Sequence, residues 1–220
     1  MRICVAILAV ARLCGANPCI RITIGKDESG AKTVSKSFAI TARSPEACQK
    51  NQFSGLHPTK AYALEVSILK VLNEKRNASS YTTRKCRDRY FPKLLARRDP
   101  QRAFVQSYDG EPLTDGQHHN QKLCQLSLED VRRFAHCASA VMAEARVEHL
   151  DSRVMLSAAK NTLIDEKNRL TLIDFDIASL YGFPRTDQFL NRQYRPQSYA
   201  ELLTEFYGEV CGGAGLWPGK

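Results

Sequence analysis

The sequence predicts an α+β protein with a β-rich amino-terminal part and a mainly helical carboxy-terminal part, and three observations predict it. Short apolar and β-branched runs crowd the first 110 residues, interrupted by a single helix-like segment. A polar, turn-rich stretch over residues 110–126 follows. Beyond it come a capped amphipathic helix, a short hairpin and a last helix. The boundary divides the chain into lobes of residues 1–110 and 111–220, and an apolar content of 43% in 220 residues supplies a core of that size.

Residues 3–10 and 19–25 read as strands, residues 26–30 as a turn closed by Gly30, and residues 33–40 as a third strand. Pro45, Gly55 and Pro58 make residues 44–59 a loop. Tyr62, Leu64, Val66, Ile68, Leu69 and Leu72 then recur at helical spacing, with Lys and Glu on the other side. Residues 90–95 and 103–108 are short strands around the Asp99-Pro100 turn. Ser127, with Glu129 and Asp130 behind it, caps a helix whose apolar face is Val131, Phe134, Ala138, Val141, Met142 and Ala145. Residues 163–165 and 170–175 form a hairpin about the turn at 166–168, and residues 199–210 form the last helix.

The residues with the clearest chemistry cluster after the capped helix: His149-Leu150-Asp151, then Asn161, then Leu172-Ile173-Asp174-Phe175-Asp176. Alone, Asp151 reads as a turn cap and Asp174 as the end of a strand. Together, around a hairpin, they fit phosphoryl transfer, which asks a protein mainly for a cation at the phosphates, oxygen ligands for Mg²⁺ and a carboxylate to orient the attacking hydroxyl. This segment resembles the catalytic loop and metal-binding turn of the protein-kinase-like superfamily, with its divergent microbial and viral-type members. The resemblance implies a two-lobed kinase-like fold with a reduced carboxy-terminal lobe, in which Asp151 is the base beside His149, Asp174 and Asn161 hold Mg²⁺, and ATP is the donor.

The amino-terminal half extends the resemblance. Gly30 and the run Lys32-Thr33-Val34-Ser35-Lys36 look like the hairpin that carries the phosphate-gripping lysine, which makes Lys36 that cation and Glu65 its partner on the next helix. An exposed strand lysine and a surface glutamate are the plain alternatives. Gly15 stands where the superfamily has a glycine-rich loop, and Ser107, Tyr108 and Asp109 correspond to the hinge that meets adenine.

Several departures limit what is implied. Asp151 and Asn161 stand ten residues apart where protein kinases have five, so residues 152–160 are an insertion expected to bulge out. Leu150 replaces an arginine that commonly binds an activation-loop phosphate, which implies activity not governed by loop phosphorylation. Asp176 replaces glycine, as in sugar and other small-molecule kinases, and few residues follow it. Three readings stay open: a protein Ser/Thr kinase, a phosphotransferase for a small hydroxylated molecule or glycan, and a pseudokinase that binds partners.

The net charge of +9 suits an anionic partner. The excess concentrates over residues 84–102, at Arg84, Lys85, Arg87, Arg89, Lys93, Arg97, Arg98 and Arg102, either as a solvated face or as a surface for such a partner. Eight cysteines show no paired metal-ligand spacing. Residues 1–16 favour the reading of a buried strand, in a protein that is then cytoplasmic, over that of a signal peptide. In the secreted case the sequon Asn77-Ala78-Ser79 accepts a glycan and some cysteines pair. No run of about 20 apolar residues offers a membrane span.

Overall fold

The structure, a computed structural model, describes residues 20–38, 58–75, 86, 90–149, 154–175, 178–180 and 198–212. Gly15, Leu150, Asp151, Asp176, the sequon, residues 1–16 and Arg84, Lys85, Arg87 and Arg89 of the basic segment lie outside them. The fold is α+β, with antiparallel sheets and helices packed on them.

Strands β1 (Arg21–Lys26) and β2 (Lys32–Ser37) form the first hairpin. Its turn is built by Asp27, whose Oδ1 accepts from the backbone N–H groups of Ser29 and Ala31, and by Gly30 at a positive φ of 84°. Helix α1 (Pro58–Lys75) starts inside the expected loop, because proline is favourable at a first helical position, where its missing N–H has no partner to lose. Strands β3 (Leu94–Arg98) and β4 (Ala103–Ser107) complete a four-stranded sheet of order β1-β2-β4-β3.

The strand expected over residues 90–95 begins only at Leu94. Pro92 has no ladder N–H to give, and Tyr90 and Phe91 turn into the core, where their rings meet Phe134 at 5.7 Å and Phe175 at 5.9 Å.

The stretch expected to be a linker is structured. Strand β5 (Glu111–Pro112) pairs with β7 (Thr162–Ile164), which pairs in turn with β8 (Leu170–Leu172). A 3₁₀ turn (Gln121–Gln125) leads to helix α2 (Leu128–Glu144), where the Ser127 side chain accepts from the Asp130 N–H. The buried face of α2 is Val131, Phe134, Ala135, Cys137, Ala138, Val141 and Met142, the stripe its periodicity predicts with two positions added. Strand β6 (Val147–Glu148) pairs with β9 (Ser179–Leu180).

The segment expected to bulge out before Asn161 is helical where it is described. It forms helix α3 (Met155–Lys160), whose Ala158 and Ala159 are fully buried against helix α4 (Tyr199–Cys211). Two alanines let the helices approach closely and so fold the extra residues inward.

Helix α4 opens with a reciprocal capping box between Ser198 and Glu201 and braces the second sheet. The Thr162 hydroxyl donates to the Ala158 carbonyl at 2.7 Å, so the Tyr199 hydroxyl, 2.8 Å away, must donate to Thr162. At the other end the Tyr207 hydroxyl donates to the Leu126 carbonyl. Among the described residues two disulfides cross the fold: Cys86–Cys137 ties the chain beyond α1 to α2, and Cys124–Cys211 ties the 3₁₀ turn to the end of α4.

Replacing Tyr199 by Phe removes one buried hydrogen bond while Thr162 keeps its own donor satisfied. The expected loss is about 1 kcal/mol, read as a melting temperature roughly 2–4 °C lower in a thermal denaturation series. An unchanged melting temperature would show that α4 is not held through this contact.

Candidate functional site

A cleft lies between the four-stranded sheet and the β5-β7-β8 sheet. Ile22, Ile24 and Val34 form one apolar wall, and Leu163 and Ile173 the other. Lys36, Glu65, Gln106 and Asp174 lie among its lining residues, and residues 107–112 form one edge. Two apolar walls around a few converging polar groups are the ordinary build of a small-molecule site.

Lys36 is the centre of the arrangement. Its position on β2, paired with Phe104 of β4, turns it inward, and it is only 4% exposed. Its ammonium donates to Glu65 Oε1 at 3.0 Å and to Asp174 Oδ1 at 2.6 Å. Glu65 Oε2 is also close, at 2.8 Å, but out of line for a hydrogen bond. Glu65 accepts from the Phe175 N–H as well, so this one carboxylate of α1 holds both the lysine and the loop after β8. Burial pushes the Glu65 carboxyl above its ordinary range, opposed by the Lys36 ammonium and the Phe175 N–H.

Asp174 follows the Leu170–Leu172 strand by two residues and sits at φ 67°, a left-handed conformation unfavourable for a residue with a Cβ. Such backbone strain, of order 1–3 kcal/mol, persists where surrounding contacts over-determine it. Those contacts are visible. The Ile173 N–H donates to the Asn161 carbonyl at 2.8 Å, and His149 Nε2 donates to the Ile173 carbonyl at 2.7 Å. The His149 ring also meets Phe175 edge-on at 4.7 Å, while Phe175 is fully buried. His149 therefore supports the Asp174 loop and is a positioning residue in this geometry.

Asn161 is buried at the junction of α3 and β7, where its backbone joins the loop that carries Asp174. The oxygens of Asp174 and Asn161 suit Mg²⁺, which prefers oxygen ligands and commonly takes one or two protein carboxylates plus substrate phosphates. Among the described residues no cluster of three or more His, Cys, Asp or Glu side chains offers a metal site complete in itself.

Ser107, Tyr108 and Asp109, the strip proposed to meet adenine, line the cleft, and two of its amides are already used. The Ser107 N–H donates to the Lys93 carbonyl and the Tyr108 N–H to the Lys32 carbonyl, the latter at a long 3.4 Å. The Ser107 hydroxyl donates to Asp109, and the Tyr108 hydroxyl to Glu111. Gly110 makes the strip possible: at φ 116° its absent Cβ would fall 2.1 Å from the Ile164 carbonyl oxygen.

Sequence reasoning missed Gln106. It pairs with Val34 across the sheet, which sets both side chains on one face, and it is buried, only 8% exposed, among the residues that line the cleft. Its signal in the sequence was a polar residue in the otherwise apolar run 103–106. The structure thus brings together Lys36, Glu65, Asp174 and the 107–109 strip, sets His149 and Asn161 behind them, and adds Gln106. Neither a scan against protein-family models nor a search of curated proteins finds a match to this chain.

Removing the lysine leaves Glu65 buried without its cation. We expect Lys36→Met to lower stability by about 3–5 kcal/mol at neutral pH, since an uncompensated buried charge is left behind. Loss of Lys36 raises the folded-state pKa of Glu65 further above its unfolded value. The protonated carboxyl then costs least at low pH, and stability falls as pH rises through the folded pKa. Melting curves at pH 5 and pH 8 test this: the deficit should be larger at pH 8 and should shrink in Lys36→Met/Glu65→Gln. Equal deficits at both pH values would contradict it.

Proposed function

We propose that the chain is an ATP- and Mg²⁺-dependent phosphotransferase of the protein-kinase-like kind, acting on a hydroxyl of a protein acceptor. The observation that carries this reading is the buried Lys36 ammonium, held between Glu65 and Asp174 in an apolar-walled cleft. A lysine so placed can donate to phosphate oxygens without first finding its geometry, because Glu65 holds it in place.

The apolar walls suit a planar base, with its phosphates directed to Lys36 and Asp174. Asp174 and Asn161 would hold Mg²⁺, which when bound neutralises charge on the phosphates. Asp151 lies two residues beyond His149 in the sequence, and in this reading it accepts the proton of the attacking hydroxyl. The Gln106 carboxamide is both donor and acceptor, and that pairing matches N7 and the exocyclic amino group of adenine.

The direct test is transfer of labelled γ-phosphate from ATP with Mg²⁺, assayed on the chain itself, on generic protein acceptors and on a sugar panel. Transfer to protein that is lost in Asp151→Asn supports the reading; transfer to sugars alone moves the acceptor class; no transfer and no nucleotide binding removes the reading.

Two variants examine the nucleotide site. Asp174→Ala should keep the fold but lose the Mg²⁺-dependent part of the thermal shift given by ATP, and an undiminished shift would take Asp174 out of the site. Gln106→Leu should narrow the preference for ATP over GTP by about tenfold or more in equilibrium titrations, the worth of one good bidentate contact. An unaltered ratio would show that Gln106 does not read the base.

A further inference from the structure

The cysteines carry an observation that phosphoryl transfer does not use. Cys86–Cys137 and Cys124–Cys211 have Cα–Cα distances of 5.3 and 5.2 Å and join positions 51 and 87 residues apart. Both separations fall in the ordinary range for a cystine. Neither pair has the adjacent spacing of a redox-active dithiol, and none of the four belongs to a possible metal cluster among the described residues. Cys86 and Cys137 are buried in the main core, which marks that bridge as structural.

Cross-links of this kind persist in oxidising compartments and are rare where glutathione and thioredoxin keep thiols reduced. The sequon Asn77-Ala78-Ser79, between α1 and Cys86, points the same way. Where the sequence on its own favours the cytoplasm, the paired cysteines reverse the preference.

The second bridge also bears on the site. Helix α4 holds Thr162 through Tyr199, and Thr162 adjoins Asn161 and pairs across the hairpin with Leu172, two residues before Asp174. Cys124–Cys211 fastens the far end of that helix, beside the Tyr207 contact to Leu126. Cys124 is exposed on the 3₁₀ turn, so this bridge meets solvent while Cys86–Cys137 does not.

We propose that the chain matures and works in an oxidising compartment, so that its acceptors are hydroxyls of exported polypeptides, and that Cys124–Cys211 is the fastening that keeps α4 braced behind the metal-side hairpin. The acceptor clause rests on the phosphotransferase reading; the two cross-links do not. Each bridge forms as two thiols give two electrons and two protons to a disulfide-bearing oxidant, whose own bond is reduced to two thiols.

The test uses the full chain expressed in eukaryotic cells, with free thiols trapped by N-ethylmaleimide at lysis and peptides mapped without reduction. Linked peptides containing Cys86 with Cys137 and Cys124 with Cys211 are expected. Trapped free thiols at these four positions would overturn the proposal. Titration of the purified protein with dithiothreitol should open Cys124–Cys211 first and lower the melting temperature by about 10 °C. Cys124→Ala/Cys211→Ala should reproduce that shift and weaken the thermal response to Mg-ATP. Opening of the exposed bridge with no change in melting temperature would overturn its fastening role. Because thiol mapping and melting do not depend on catalysis, cross-linked protein that transfers no phosphate would retire the enzymatic reading and leave the cross-links standing.

Discussion

A buried ammonium between two carboxylates is the constraint on which the rest of this molecule depends. Lys36, Glu65 and Asp174 come from a sheet strand, a helix and the loop after a hairpin, so one set of charges joins three elements distant in sequence. Burying charges is unfavourable unless they are well paired, and a hydrophobic trio of the same volume would hold the same elements together at less cost. A group present in spite of that penalty needs another justification, and the proposed role of Lys36 as a preorganised phosphate cation offers one.

The second feature is the depth of support behind Asp174. Its left-handed backbone is held by Lys36 in front, by Asn161 and His149 through the neighbouring Ile173, and by the packing of Phe175 against His149 and Phe91. Helix α4 extends this support to the back of the hairpin through a buried Tyr199–Thr162 contact. Strain at Asp174 is affordable only because these contacts act together.

How much of this could be read from residues alone varies with the range of the interaction. Helix α2 was legible because its stripe from Val131 to Met142 and its Ser127 cap are local signals. The inward lysine was legible through position on a strand: Lys36 and Glu65 were expected to face one another, and the chain places them 3.0 Å apart. Strand β3 was misplaced because Tyr90 and Phe91 have strand-like chemistry but are drawn into a core formed by distant residues. Helix α3 was missed because a six-residue helix has little periodicity, and only α4, some forty residues on, gives its alanines something to bury against. Gln106 was passed over because a lone glutamine in a strand carries no motif, and its meaning comes from the cleft around it. The cysteine pairing was equally closed to sequence, since eight cysteines allow 105 complete pairings.

The central claim is that the Lys36–Glu65–Asp174 group is the phosphate and metal end of a nucleotide site. A crystal structure of the full chain with Mn²⁺ and a non-hydrolysable ATP analogue, the metal located by its anomalous signal, tests it most directly. The account predicts Mn²⁺ bound by Asp174 and phosphate oxygens at about 2.1 Å, the Lys36 ammonium against the phosphates, and the base between the apolar walls beside Gln106. An anomalous peak away from Asp174, or a nucleotide bound outside the cleft, would contradict it.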